Sequence, residues 1–373
     1  MDGRLSNSYL EVDLGILREN VRAILADLHR HGDAQLIPVL KDRAYGLGET
    51  QVARELSRFP EIRCFAVAHV SEGLKLREAG IDREILITGL ALPFQMEEAV
   101  RADLTLACGR PGFLRELSDA ARRVGKPAKI HLKIDTGLHR IGIEPGELEA
   151  WIAEYRECRG QVLAEGVFSH FSDADNLMRD EEEFRIFQDA VAALSEAGIT
   201  FPIRHMAASA SSERYPQFVL DGVRCGRRLY MDHPTVPQGK IRECVSWRSY
   251  ITGVKLRKAG ECIGYGGKVR LEHDTAVATV AVGYGDGLNQ ELVRIGGPVL
   301  ADGKRCRLLA CCMDQCLLDV TGTECRVGDE VTFFGCDGKG NFLSSQEVAA
   351  LVNDDEGCGL TAALSDRVAR IYV

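Results

Sequence analysis

Two textures of hydrophobicity divide this chain. From residue 8 to about 235, short apolar runs alternate with amphipathic stretches of helical period. Ile16–Leu28, Glu49–Leu56, Ser71–Ala79, Phe113–Val124, Glu147–Arg156 and Glu181–Ala197 carry the helical period. Between them lie β-branched and aliphatic runs: Cys64–Ala68, Glu84–Gly89, Leu104–Ala107, Ile130–Asp135 and Leu163–His170. A βαβα series with roughly eight strands predicts a (β/α)8 barrel, with a doubly wound sheet as the alternative. From about residue 240 the helical periods largely vanish. Runs such as Thr275–Val282 and Glu330–Phe334 are separated by turns, and Asp302-Gly303 and Asp337-Gly338 are hairpin signals. The reading is therefore an α/β protein: a barrel over 8–235 and a mostly β domain over 236–373. The boundary lies near the Pro/Gly-punctuated Pro234–Gly239, and residues 1–7 are placed against the β domain.

Composition narrows the class. Of 373 residues 45% are hydrophobic, ample for a core, and the net charge of −9 disfavours nucleic acid as a partner. The polar start Met1–Asn7 does not read as a signal peptide, and no apolar run reaches the ~20 residues of a membrane span, so the expectation is cytoplasmic. Thirteen cysteines without a secretory context read as reduced thiols. Cys306, Cys311, Cys312 and Cys316 lack metal-ligand spacing, so no metal is expected.

The most informative stretch is Gln35–Gly48, an apolar run ending in Lys41 and then a Gly-Leu-Gly turn. A lysine where a barrel strand meets its loop stands where such folds place chemistry. Loss of solvation there is expected to lower its pKa and free its amine as a nucleophile. Five further stretches join it: His131–Gly142, with Lys133 in mid-strand and Arg140 after a Gly turn; Ser169–Asp175; His205–Ala210; Val223–Arg228; and, in the β domain, the loops around Tyr265, Tyr284 and Met313. Each has a plain reading. His170 alone reads as a satisfied structural histidine, Ser209 as a helix N-cap, Tyr265 as a turn aromatic, and Arg227-Arg228 as a solvated or ion-paired face.

In order, Lys-x-x-Ala-Tyr-Gly, His-Leu-Lys-x-Asp-Thr-Gly-x-x-Arg, Ser-His-Phe, His-x-Ala-x-Ser, Val-Arg-x-Gly, Gly-Tyr-Gly, Gly-Tyr-x-Asp-Gly and Cys-Met-Asp-Gln resemble alanine racemase, the barrel-type family that uses pyridoxal 5′-phosphate (PLP). The resemblance spans about Tyr9 to Tyr372. It implies a PLP barrel, a C-terminal β domain and a head-to-tail homodimer with shared active sites. It implies that Lys41 carries the cofactor and is one of two bases, and that Tyr265 of the partner subunit is the other. Tyr45, Ser209, Gly226 and Arg227 match phosphate contacts, and Arg224 the arginine facing the pyridine nitrogen. His170 matches a histidine beside the ring that links Arg224 to the tyrosine. Arg140 and Met313 match substrate-carboxylate contacts, Tyr284 and Asp175 the access channel, and Lys133 a lysine often carbamylated. The default role is D-alanine supply by racemisation of L-alanine.

The departures cluster at the phosphate and the entrance. Ala208 stands where the family has Asn, Cys225 where it has Pro, Cys358 near its phosphate-binding Tyr, and Gln290 at its channel Arg. One phosphate hydrogen bond is then missing, with Arg227 a candidate to compensate, and the gate partner of Asp175 is neutral. Asp42-Arg43 replaces two small or polar residues. An entrance of altered charge admits the alternatives of a shifted substrate such as serine, including the catalytic part of a membrane-anchored serine racemase, or a non-catalytic PLP-binding homologue. A barrel PLP lyase is a further rival. Against it, the Gly-Gly-Gly phosphate loop of the decarboxylases is absent, and no histidine follows His273 for an aldolase metal pair.

Overall fold

The computed structural model describes residues 6–30, 32–231, 240–354 and 357–373. The expected boundary at Pro234–Gly239 and residues 1–5 lie outside the described residues.

Eight parallel strands form the first unit: Gln35–Pro38, Cys64–Val67, Glu84–Ile87, Thr105–Cys108, Ala128–Lys133, Val162–Phe168, Ile203–Ala208 and Gly222–Cys225. The first pairs with the last in register Gln35↔Gly222, and a parallel bridge between Val39 and Ala66 closes the ring. The barrel prediction therefore holds over the doubly wound alternative. Helices cover the outside, so both faces of each strand are buried and the strands read as unbroken apolar runs. Helix Phe113–Val124 shows how: Phe113, Leu114, Leu117, Ala120 and Ala121 form one buried stripe, and Gly125 at φ 81° ends it. Inside the barrel, Ile37, Cys64, Ala66 and Leu86 make a small apolar layer. Strand alternation sends Ile130 and Leu132 outward to the helices and His131 and Lys133 inward. Helix Pro93–Arg101 is an element the periodicity did not give; only Met96, Ala99 and Val100 are buried in it.

The second unit is a nine-stranded sheet in which Val245–Arg257 pairs with both Thr275–Val280 and Glu330–Cys336. That double pairing closes six strands into a ring and removes their open edges. Asp302-Gly303 is the predicted two-residue hairpin: Ala301 faces Lys304, and both loop residues have positive φ, 49° and 72°. At Asp337-Gly338 the loop is longer, since Cys336 faces Phe342. Strand Ser8–Val12, read with the barrel at its start, hydrogen-bonds instead to Val245–Ser249 and to Ala369–Tyr372 of this second sheet. The chain's end also returns to the barrel. Arg370 Nε donates to Gly46 O (2.8 Å) and Tyr372 Oη to Leu47 O (2.9 Å), just beyond Lys41.

Candidate active site

Lys41 follows the first barrel strand, and the backbone then does something unusual. Asp42, Arg43, Ala44 and Tyr45 all have positive φ, between 49° and 58°. Four successive L-residues in the left-handed region cost about 1–2 kcal/mol each, so other contacts must hold them. Those contacts are visible. Glu72 accepts from the Asp42, Ala68 and His69 amides at 2.6–2.9 Å. Arg43 donates to Ala362 O (3.0 Å) and pairs with Asp366 (2.8 Å). Gly46 lies so close to the C-terminal helix Cys358–Ala362 that a Cβ there would sit 2.0 Å from Thr361 O. The turn aims Lys41 and Tyr45 into one cavity at the C-terminal rim of the barrel, with Lys41 Nζ 5.8 Å from the centre of the Tyr45 ring. The expected desolvation of Lys41 is not found: the residue is exposed because it opens into the cavity rather than being enclosed by the strand end.

The cavity holds about 740 Å3. Lys41, Tyr45, Lys133, Arg140, His170, Ser209, Arg224, Gly226 and Arg227 all line it, as do the departures Ala208 and Cys358. Five of these are Lys or Arg, and no Asp or Glu is among the described lining residues. Such a wall suits an anionic ligand. At one side Ser209 Oγ accepts from the Gly226 amide (3.2 Å) rather than capping its own helix, and a Cβ on residue 226 would meet Tyr45 Oη at 2.0 Å. A side chain there would displace the Tyr45 hydroxyl. Arg227-Arg228 divides in two: Arg227 is buried at the cavity, while Arg228 is buried behind it in ion pairs with Asp27 and Glu213. Cys225 is buried outside the lining, and burial pushes its thiol up to about 12.

Arg224 is buried, and both of its terminal nitrogens are engaged. Its Nη2 donates to Ser169 O (2.7 Å), Met206 O (3.1 Å) and His170 Nδ1 (3.0 Å); its Nη1 donates to His205 Nδ1 (2.6 Å). Burial, reinforced by neighbouring Arg140, lowers its guanidinium to about 10. Burial and then the Arg224 charge hold the His170 and His205 imidazoles well below their ordinary value. A neutral His170 accepting at Nδ1 carries its proton on Nε2. Lys133 is 2% exposed and donates to Ile134 O (2.6 Å) and Ser169 Oγ (3.2 Å). Burial first, then Arg224, lowers its amine to about 7.

Three expected site residues lie apart from this cavity. Tyr265, Tyr284 and Met313 are on β-domain loops and exposed, Tyr265 at 79%. The last two share one surface, since the Tyr284 amide donates to Cys312 O (3.1 Å) and the Gly285 amide to Met313 O (2.8 Å). Asp175, expected at the access channel, is ion-paired with Arg214 of its own chain, which also donates to Ala174 O (3.0 Å). Gln290 begins a short helix and does not reach the cavity. Arg214 and Glu72 are residues that sequence reasoning passed over, and for His131 and His205, which open two of its motifs, it passed over the contact between them. Only the two histidines left a signal, as polar positions inside apolar strands. All thirteen cysteines are unpaired, and no group of three or more potential metal ligands is present among the described residues. No helix among them is long and apolar enough to cross a membrane.

A closed parallel barrel with a lysine and a buried arginine at its cationic mouth, followed by a closed antiparallel β domain, defines a two-domain barrel enzyme built to hold an anionic ligand. Two sequence models that together span nearly all of the chain, "Alanine racemase, N-terminal domain" and "Alanine racemase, C-terminal domain", match residues 12–234 and 244–372. Curated relatives include alanine racemase 2 of Caldanaerobacter subterraneus subsp. tengcongensis, 35% identical over 98% of this chain and 94% of its own length. Another is the alanine racemase of Geobacter sulfurreducens, 35% identical over 97% and 96%. Similar solved structures include alanine racemase of Clostridium difficile 630, with a TM-score of 0.91 and 28% identity over 99% of this chain and 96% of that one. Alanine racemase of Bacillus anthracis with bound L-Ala-P gives 0.91 and 28% over 99% and 95%. The chain belongs to the alanine racemase family, and it is an isomerase.

Proposed function

We propose that this protein interconverts L- and D-alanine with PLP as cofactor, working as a cytoplasmic homodimer that supplies D-alanine. The observation that carries the reading is the single cavity in which Lys41, Tyr45, Arg140, His170, Ser209 and Arg224 converge.

The residues present suit PLP. Lys41 would bind it covalently, and Tyr45, Ser209, Gly226 and Arg227, which line the same cavity, would hold its phosphate. When bound, PLP supplies an electron sink for the charge left at the substrate Cα. Arg224 would face the ring nitrogen, and a guanidinium donates without readily giving up its proton. Arg224 would thereby leave that nitrogen unprotonated, restraining the sink and favouring return of a proton to Cα over side reactions. Racemisation needs an acid and a base on opposite faces of Cα. Lys41 Nζ moves the proton on one face. Tyr265 Oη of the partner subunit moves it on the other, oriented by the His170 Nε2–H, which is in turn fixed by Arg224. The exposure of Tyr265, Tyr284 and Met313 away from their own cavity supports their service to a second copy. Arg140 and Met313 would hold the substrate carboxylate.

Lys133 would be carbamylated. A buried amine lowered to about 7 is largely neutral near physiological pH, and a neutral amine is the form that adds CO2. Carbamate formation releases one proton, and the resulting anion would sit beside Arg140 and offset its charge.

Mixing tests the shared site. Lys41→Ala and Tyr265→Phe proteins are each expected to be nearly inactive. Unfolded and refolded together, they should recover about a quarter of wild-type activity, because half the dimers are mixed and each mixed dimer holds one intact site. No recovery, with mixed dimers demonstrated, would refute the partner-supplied tyrosine.

A further inference from the structure

Arg224 is a buried cation, yet among the described residues no carboxylate lies within ion-pair distance of it. Two buried histidines lead away from it toward the barrel floor. Arg224 has only donors, so His205 Nδ1, 2.6 Å from Nη1, must accept. A neutral His205 then carries its proton on Nε2, which lies 2.9 Å from His131 Nδ1. That nitrogen accepts in turn, which puts the His131 proton on Nε2. The His131 Nε2 atom is buried, has no hydrogen-bond partner, and faces Glu84 Oε1 at 3.6 Å. Every link points the same way, and reversing either imidazole would set N–H against N–H.

The barrel is shaped for this row. A Cβ on Gly166 would fall 2.5 Å from the His131 ring, so that position is left without a side chain. Phe168 stacks on His205 with centroids 5.0 Å apart and planes 5° apart, and the Arg224 guanidinium lies 5.3 Å from the same ring. Glu84 accepts from Thr105 Oγ1 (3.3 Å) at the start of the strands, where burial and then Glu165 push its carboxyl up and Thr105 and Lys129 oppose them.

We propose that Glu84 is the counter-charge of Arg224, joined to it through His205 and His131, and that His131 and Glu84 are positioning residues for the reaction. The step from this row to catalysis rests on the racemase reading above. Arg224 would need to stay charged and aimed at the cofactor; two imidazoles locked in one tautomer do both, and a carboxylate in the cavity itself would compete with the substrate for Arg140.

The test uses the PLP-loaded dimer. Histidine 15N NMR should report His131 and His205 as neutral Nε2–H tautomers; an Nδ1–H form at either overturns the proposal, whatever the activity. His131→Phe removes the acceptor and should lower kcat on the order of tenfold, as loss of an outer-shell partner does, with the alanine KM unchanged within about twofold. The absorbance of bound PLP should shift. His131→Gln, whose amide oxygen accepts from His205, should restore most of both. Glu84→Gln should fold normally and lower kcat in the same direction. Wild-type kcat and spectrum in a folded His131→Phe enzyme would refute the positioning role. A wild type with the predicted tautomers but no racemisation would instead sink the racemase reading.

Discussion

Lys133→Met should make the protein more stable near neutral pH. An ordinary lysine titrates at 10.5, and burial brings Lys133 to about 7. At about 1.4 kcal/mol per pH unit, keeping this amine protonated and folded costs roughly 5 kcal/mol. The sign follows from proton binding. Between pH 7 and 10.5 the unfolded chain holds a proton the folded one lacks, so stability rises with pH there and the full penalty applies below 7. Methionine removes that penalty and forfeits two hydrogen bonds worth about 1–2 kcal/mol together. Ser169 Oγ keeps its bonds to Ile134 O and Thr136, both 2.8 Å, so no acceptor is stranded. In CO2-free buffer the variant should gain roughly 3 kcal/mol at pH 7 and lose about 1 kcal/mol above pH 10.5. Paired urea or thermal unfolding at the two pH values measures this. Bicarbonate should stabilise wild type and leave Lys133→Met unaffected, since only the amine forms a carbamate. A variant less stable than wild type at pH 7 without CO2 would refute the reasoning.

Other perturbations probe the rim. Gly226→Ala puts a methyl on Tyr45 Oη and should weaken PLP binding on the order of tenfold by fluorescence titration; adding Tyr45→Phe should cost little more, because both act through one contact. Gly46→Ala meets Thr361 backbone at a φ of 88° and should lose about 3 kcal/mol or more of stability together with the bound-PLP absorbance band. Arg214→Ala frees Asp175, and the KM for amino acids larger than alanine should change more than that for alanine itself.

The barrel was legible because strands covered on both faces must be apolar throughout, and Cys64–Val67 and Glu84–Ile87 are read with little error. Gly222–Cys225 was missed as a strand because the buried charge of Arg224 breaks the run. Strand Ser8–Val12 has a strand's composition, but its partners are more than 200 residues away, and no local signal gives that pairing. The left-handed turn after Lys41 contains no glycine; Glu72 and the C-terminal helix hold it, so it is written in tertiary contacts. At the site, motif order gave the cavity's residues, whereas the Arg214–Asp175 pair and the row from Arg224 to Glu84 depend on which side chains the folded barrel brings into line.

The most direct test of the whole account is solvent-deuterium exchange at Cα, followed by proton NMR, for PLP-loaded protein with each common L-amino acid. The account predicts exchange with alanine, led by a wide margin and accompanied by growth of the D-enantiomer. Bound PLP with no exchange for any amino acid would contradict it.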